Sequence, residues 1–227
     1  MNAQELQLDY FKIYDVFDHR VEHWVALQGQ FDDEPEKAEL MVLSHFGNPA
    51  SKNQEPMHDR NAHFSCYRLY QPLPDPMRMV ELENQFGKQR IITGSPAALL
   101  APAQKRERGS RFPEKLDHYK LYRVLRSERL DKEVALEDQF GREEARVLYP
   151  ILFGAPVHKE FRDQISPIYN DRAHLLIYRI VPRRVRQSRI VRDQFGRRYL
   201  TFMRSVALAV PGLKREWKEL DQTPDIG

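Results

Sequence analysis

The chain has 227 residues but only one cysteine, Cys66, and no apolar run near the roughly 18 residues of a membrane-spanning helix. One cysteine excludes an internal disulfide, and the polar, acidic residues 1–9 do not resemble a signal peptide. We therefore expect a cytoplasmic protein without a membrane span. The sequence also lacks a Gly-x-Ser-x-Gly elbow, a P-loop and a dinucleotide fingerprint, so we expect no enzyme activity and no cofactor.

Charge of each sign is unevenly distributed. The first 60 residues hold 5 Lys and Arg against 12 Asp and Glu. Between Arg172 and Arg198 the balance reverses, because nine arginines accompany one acid, Asp193. This distribution favours binding to an acidic protein, to a polyanion or to another copy of the chain.

Three landmarks recur four times in the same order, which indicates four copies of one short unit. The first is a run centred on tyrosine, the second a segment containing Gln-Phe before a turn, and the third a proline three residues before a lysine. The tyrosine runs span residues 10–14, 63–69, 118–124 and 174–180. The Gln-Phe segments span residues 25–32, 80–87, 134–141 and 190–196. The lysines are Lys52, Lys105, Lys159 and Lys214.

The copies match as odd with odd and even with even, at an offset of about 109 residues. This match indicates that a block of two units was duplicated whole, and we predict two halves, 1–110 and 111–227. Their boundary is expected in the charged segment 105–115, which contains Gly109 and Pro113.

The local patterns predict an all-β chain. Each tyrosine run alternates and is rich in β-prone residues, and each copy has material for about three strands. We expect four pseudo-symmetric three-stranded repeats that form two similar β-barrel or sandwich halves, with one short helix at residues 213–220. In each turn Phe fills the core, Asp or Asn caps, and Gly accepts a positive φ. The predicted turn residues are Phe86, Gly87, Phe140, Gly141, Phe195 and Gly196.

The landmarks resemble those of an uncharacterised bacterial repeat domain. Its copies read Cys-Tyr-Lys, then Val-x-Asp-Gln-Phe-Gly, then Leu-Cys-x-Pro-x-x-Lys. The resemblance covers nearly the whole chain and implies a β-repeat fold. It implies no activity, but many such proteins look exported, with cysteines that can pair. Here Cys66 occupies the first cysteine position of the second copy, whereas Leu100 stands where its partner is expected.

Several residues carry alternative interpretations. His19, Glu22 and His23 spell an inverted zinc-hydrolase motif, but a solvated loop is favoured because five residues alone are weak evidence. The equivalent His63 and His174 are metal ligands or, by preference, strand-start residues bonded to backbone. We expect no metal site. The Pro-x-x-Lys lysines bind phosphate or, by preference, are solvated or pair with a neighbouring copy, and Cys66 is expected to be buried and inert.

The arginine-rich stretch is the candidate binding surface. We expect Arg183, Arg184, Arg186 and Arg189 to face a partner from one or two adjacent strands. The favoured partner is an acidic protein, with the chain acting as an interaction or scaffold subunit of a larger assembly. The alternatives are nucleic acid or an acidic polysaccharide bound through Arg172 to Arg198, and a plain solvated face.

Overall fold

The structure, a computed structural model, describes residues 5–71 and 75–220, and its regular structure there is entirely β. The all-β expectation is confirmed. The eleven strands are β1 Tyr10–Gly29, β2 Glu36–Lys52, β3 His63–Tyr70, β4 Arg78–Asn84, β5 Gly87–Lys105, β6 His118–Arg126, β7 Lys132–Asp138, β8 Gly141–Phe161, β9 Gln164–Ser166, β10 Ala173–Asp193 and β11 Gly196–Glu219.

Eight strands pair antiparallel around a closed ring. In ring order they are β1, β2, β3, β5, β6, β8, β10 and β11, and β11 pairs again with β1. Each sequence copy supplies two adjacent members. The first copy contains β1 and β2, the second β3 to β5, the third β6 to β8, and the fourth β10 and β11. Closure leaves no open edge along this path.

A hairpin of each copy extends away from the ring and pairs with the opposite copy. The first and third copies are opposite each other, as are the second and fourth. Residues 26–29 of β1 pair with 157–160 of β8, and β7 pairs in return with the end of β2. The second and fourth copies exchange strands in the same way, through β4 with β11 and β10 with β5. The Gln-Phe turn of each copy is thereby carried onto the opposite copy.

One sheet stands in place of the two expected barrel or sandwich halves. The reason is these exchanges, because every one of them joins a strand from 1–110 to a strand from 111–227. The predicted boundary falls between β5 and β6, which themselves pair. Whether the two ranges fold independently stays a prediction.

The number of strands per copy differs from the expected three. The second and third copies have three, whereas the first and fourth have two long strands. In β1 and β10 the tyrosine run continues into the hairpin without a loop, through register shifts between Asp15 and His19 and between Arg179 and Arg183. Bulges of this kind bend a strand without ending it.

Alternation along the ring strands separates three apolar clusters. Phe11 and Ile13 belong to one cluster, with Phe64, Leu121 and Leu175 from the other copies. One tyrosine of each run points the other way, into two clusters covered by the hairpins; these are Tyr14, Tyr67, Tyr122 and Tyr178. Since side chains alternate between the two faces of a strand, one face of the ring wall packs on itself and the other packs on the hairpins.

The predicted helix at 213–220 is wrong, because β11 continues through Glu219 and pairs with β4. Pairing with the edge of β4 keeps residues 213–219 extended despite their helix-like local pattern. Trp217 lies opposite Val80 in this pairing. None of the residues that the structure describes belongs to a helix long and apolar enough to cross a membrane.

Candidate functional site

The turn residues predicted from the repeat form the same local arrangement in three copies. Gly87, Gly141 and Gly196 have φ of 103°, 111° and 129°, which suits glycine. In each turn the residue three places before the glycine accepts a hydrogen bond from the backbone N–H of the phenylalanine, at 2.8–2.9 Å. These residues are Asn84, Asp138 and Asp193. Phe195 is buried, while Phe86 and Phe140 are half-buried against the apolar clusters.

The same capping side chains also join opposite copies through a ring tyrosine. The hydroxyl of Tyr14 donates to Asp138 Oδ2 at 2.7 Å, and that of Tyr67 donates to Asp193 Oδ2 at 2.5 Å. In the remaining case Asn84 Nδ2 donates to the Tyr178 hydroxyl at 2.9 Å. These bonds are buried, so each turn is fixed to the copy two places along.

The first copy departs from this arrangement. Gly29 stands where Asp138 stands in the third copy, and a Cβ there would lie 2.9 Å from Val157 Cγ1. Among the residues that the structure describes, the buried Tyr122 hydroxyl has no hydrogen-bond partner. Burial raises the pKa of Tyr122 well above its usual value, so the hydroxyl stays protonated at neutral pH.

Four lysine sites link each copy to the next one. We use this term for a Pro-x-x-Lys lysine, the first residue of the tyrosine run in its copy, and the Gln-Phe pair of the following copy. All four lysines lie near the phenylalanine ring, as expected for cation–π contacts. The distances are 5.9 Å for Lys52 to Phe86, 4.3 Å for Lys105 to Phe140, 5.9 Å for Lys159 to Phe195 and 5.5 Å for Lys214 to Phe31.

The preferred view of these lysines as solvated is wrong in three cases, because Lys52, Lys105 and Lys159 are buried. Burial lowers the pKa of Lys105 well below its usual value and that of Lys159 to about 8. Burial also lowers the pKa of Lys214 to about 8. Pairing with a neighbouring copy, the other part of that expectation, is what the phenylalanine contacts show.

The glutamines of the first and fourth turns contact a histidine of a lysine site. Gln194 Nε2 lies 2.8 Å from His118 Nε2, and Gln30 Nε2 lies 2.7 Å from His174 Nε2. Burial lowers the pKa of His118 to about 3 and that of His174 to about 4, so both imidazoles are neutral and accept the amide hydrogen.

Two buried ion pairs between the first and third copies were not predicted from the sequence. Lys12 Nζ lies 2.6 Å from Glu143 Oε1, and Lys120 Nζ lies 3.0 Å from Asp32 Oδ1. The two lysines occupy equivalent positions two residues before Tyr14 and Tyr122. The Tyr-x-Lys-x-Tyr and His-x-Lys-x-Tyr spacing in the odd copies is the signal that could have revealed them, since a lysine two residues before a core tyrosine lies on the same buried face.

The four candidate arginines all lie on β10. Arg183, Arg184 and Arg186 are exposed, and Arg183 Nε lies 3.7 Å from Glu143 Oε2. Arg189 is half-buried; its Nε donates to Glu107 Oε1 at 2.7 Å, and its guanidinium lies 5.4 Å from the centre of the Phe140 ring. The structure thus brings the four onto one strand and leaves three facing solvent.

The remaining candidates occupy structural positions. His19, Glu22 and His23 lie on β1 rather than in a loop, and the His23 ring stacks 5.6 Å from Phe195. Within residues 5–71 and 75–220, no three His, Cys, Asp or Glu side chains are close enough together to hold a metal ion. Cys66 is buried, and Leu100 lies directly opposite it across β3 and β5.

Comparison with known proteins agrees with this repeat construction. Residues 63–211 match the family described as a repeat of unknown function (DUF7450). No curated protein and no solved structure matches the chain. The matched segment covers more than half of the chain and includes complete second and third copies, so the protein belongs to this family of repeats of unknown function.

Proposed function

We propose that this protein is a non-enzymatic interaction or scaffold subunit. In this proposal four equivalent repeats build a rigid ring, and the arginines of β10 bind an acidic partner protein. The observation that carries it is the exposure of Arg183, Arg184 and Arg186 on one strand of a closed sheet. We also propose a cytoplasmic location, since a single cysteine suits a reducing compartment.

The use of the recurring polar residues supports a structural role for the repeat. The tyrosines, turn acids, lysines and glutamines contact one another between copies, as the distances above record. Folding therefore explains why these residue types recur, without any need for catalysis. Because folding accounts for the recurring residues, a residue that binds a partner is expected among the side chains that differ between copies. The arginines of β10 differ in this way.

The arginine surface extends onto the neighbouring strand. β11 adds exposed Arg197 beside Arg192, and exposed Arg204 beside Arg184. Arg204 Nε donates to Asp15 Oδ2 at 2.6 Å, so that arginine is already paired. The planar guanidinium of arginine can form two hydrogen bonds to one carboxylate, so less side-chain freedom is lost per bond formed, which favours arginine at interfaces with acidic partners.

The test replaces Arg183, Arg184 and Arg186 together with glutamine. The control replaces Arg123, Arg126 and Arg129, which are equally exposed and remove the same charge from β6 and its following loop. Native pull-down followed by mass spectrometry should show one protein that the wild type and the control retain and the β10 variant loses. Equal recovery of every partner by all three proteins contradicts the proposal.

A second candidate function is binding of nucleic acid or an acidic polysaccharide. Its specific support is Tyr199, which is 63% exposed and lies two residues from Arg197 on β11. An exposed aromatic ring among arginines offers a stacking surface for bases. Binding of single-stranded DNA, RNA or heparin that weakens linearly with the logarithm of salt concentration favours this candidate. Binding of none of the three by the wild type removes it.

A further inference from the structure

An exposed apolar side chain occurs at the same position of all four copies. In the first ring strand of each copy, the residue six places after the one that pairs with the Pro-x-x-Lys proline is large and apolar. These residues are Phe17, Tyr70, Leu125 and Val181, which are 65%, 52%, 56% and 51% exposed, and we call them the rim. Folding does not explain apolar side chains that recur in solvent, and exposed apolar groups of this kind mark interaction sites.

The rim lies at one end of the ring and points away from the hairpins. The strands β1, β3, β6 and β10 are alternate members of an antiparallel ring, so they run in the same direction. The side chain before each rim residue packs against a hairpin-covered cluster, as Val16 and Leu69 do, so the rim residue faces the other way. Four equivalent positions around a closed ring lie at one level, where a flat surface can contact them together.

The second ring strands add apolar surface at this end. Met41, Tyr149 and Met203 are 45%, 38% and 38% exposed, and each lies at a register shift opposite the first strand of the next copy. In the second copy Gly94 takes this place, and the Leu125 side chain lies beside it. Register shifts bend strands, so the apolar side chains occur where the ring strands turn outward into the hairpins.

The charge beside the rim is positive in two copies and neutralised in another. In the second and fourth copies the residue two places before the rim residue, on the same face, is an exposed arginine, Arg68 or Arg179. Neither arginine has an ion pair or a side-chain hydrogen bond within the described residues. Asp15, at the equivalent position of the first copy, pairs with Arg204 at 2.6 Å and with His45 at 3.1 Å. Apolar side chains next to free positive charge suit an anionic surface.

We propose that the rim docks on the surface of an anionic lipid bilayer. Its apolar side chains enter the boundary between headgroups and acyl chains, while Arg68 and Arg179 pair with lipid phosphates. A bilayer is flat and contacts all four copies at once, whereas a peptide or the groove of a partner protein would cover only part of the ring. This contact is separate from the acidic protein proposed for Arg183, Arg184 and Arg186, so each can fail without the other.

The test is sedimentation of the full chain with sucrose-loaded vesicles. One set is phosphatidylcholine alone, and the other contains one part phosphatidylserine to three parts phosphatidylcholine. The wild type should sediment with the anionic vesicles and several-fold less with the neutral ones, and added salt should reduce the anionic binding. No sedimentation with the anionic vesicles, or equal binding to the two sets, overturns the inference.

The rim variant is Tyr70→Ser with Leu125→Ser, and its matched control is Tyr169→Ser with Ile165→Ser. The control removes a tyrosine and an isomer of leucine that are 55% and 71% exposed but lie outside the rim. The rim variant should bind anionic vesicles about tenfold more weakly, because two apolar side chains no longer enter the bilayer. The control should bind like the wild type, and equal binding by rim variant and control overturns the inference.

A second pair of variants keeps the test decisive if the rim variant does not fold. Val181→Asp and Val181→Asn differ only in charge, at a position that is 51% exposed. The aspartate should weaken binding to anionic vesicles several-fold relative to the asparagine, because the bilayer surface repels it. Equal binding by these two variants contradicts the proposal. Capture of an acidic protein through the rim, without vesicle binding, also contradicts it.

Discussion

The first and third turns of this molecule occupy equivalent places but are held differently. In the third turn Asp138 caps the Phe140 N–H and accepts the Tyr14 hydroxyl. In the first turn Gly29 has no side chain, and its N–H donates to Asp32 Oδ2 at 2.8 Å. Asp32 Oδ1 also lies 3.0 Å from Lys120 Nζ. This ion pair joins the first turn to the third copy, in the place where the other turns have a hydrogen bond to a tyrosine hydroxyl.

The difference shows which parts of the repeat can be exchanged. The tyrosine ring stays buried in both places, and Gln30 of the first turn contacts His174. Gly29 can supply neither the hydroxyl bond nor the phenylalanine cap that Asp138 supplies. Gly29 also lies against Val157, so the loss of the side chain accompanies a close approach between β1 and β8. Burial of the ring, rather than its hydroxyl bond, is thus the common requirement.

Removing the carboxylate from the third turn should cause the largest loss of stability. Asp138→Ala leaves the donors of Tyr14, Asn48 and Phe140 without their acceptor. It also removes a negative charge 3.9 Å from buried Lys12. We expect the free energy of unfolding to fall by about 3–5 kcal/mol, measured by urea denaturation.

The control for this variant is the neighbouring Glu137→Ala. Glu137 is exposed, so its replacement should change the free energy of unfolding by no more than about 0.5 kcal/mol. Equal urea midpoints for Asp138→Ala and Glu137→Ala would show that the turn carboxylate does not hold the copies together.

Much of this arrangement was predictable from the sequence. The three landmarks indicated four copies, the alternating tyrosine runs indicated strands, and the Asp-Gln-Phe-Gly spacing indicated a capped turn with glycine at positive φ. These features are local, because each depends on a few neighbouring residues. The position of Leu100 opposite Cys66 also agrees with the pairing that the family resemblance implied.

The exchange of hairpins between opposite copies was not predictable in the same way. Strand pairing between residues at least 84 positions apart leaves no local pattern. The sequence of β7 has the same β-prone pattern whether the strand pairs only within its copy or also with β2. The burial of Lys105 and Lys159 was missed for a related reason. A lysine after a proline predicts a solvated side chain until the phenylalanine rings of the next copy are placed over it.

A second prediction concerns the two buried histidines that the turn glutamines contact, His118 and His174. His118 and His174 have pKa values of about 3 and about 4, below the unfolded value of 6.5, because burial disfavours the imidazolium. Their contribution to stability is present above pH 6.5 and is lost as the pH falls toward the folded pKa. Between pH 6.5 and about 5, each should reduce the free energy of unfolding by about 2 kcal/mol.

The variants His118→Gln and His174→Gln isolate these contributions. Each should lose stability less steeply than the wild type over this pH range, measured by urea denaturation at several pH values. If Gln30 and Gln194 keep their histidines equally buried, the two variants should reduce the dependence of the free energy of unfolding on pH by the same amount. Profiles parallel to that of the wild type would show that neither histidine is buried in its neutral form.

The most direct measurement compares Tyr14→Phe with Tyr122→Phe. Both remove one hydroxyl from equivalent buried rings, but the Tyr14 hydroxyl bonds to Asp138, whereas that of Tyr122 has no partner in the described structure. We expect Tyr14→Phe to lower the free energy of unfolding by about 1–2 kcal/mol and Tyr122→Phe to leave it unchanged or slightly higher. Equal losses in the two variants, or a larger loss in Tyr122→Phe, would contradict the account that a turn aspartate or asparagine bonds to a tyrosine of the opposite copy at every turn except the first.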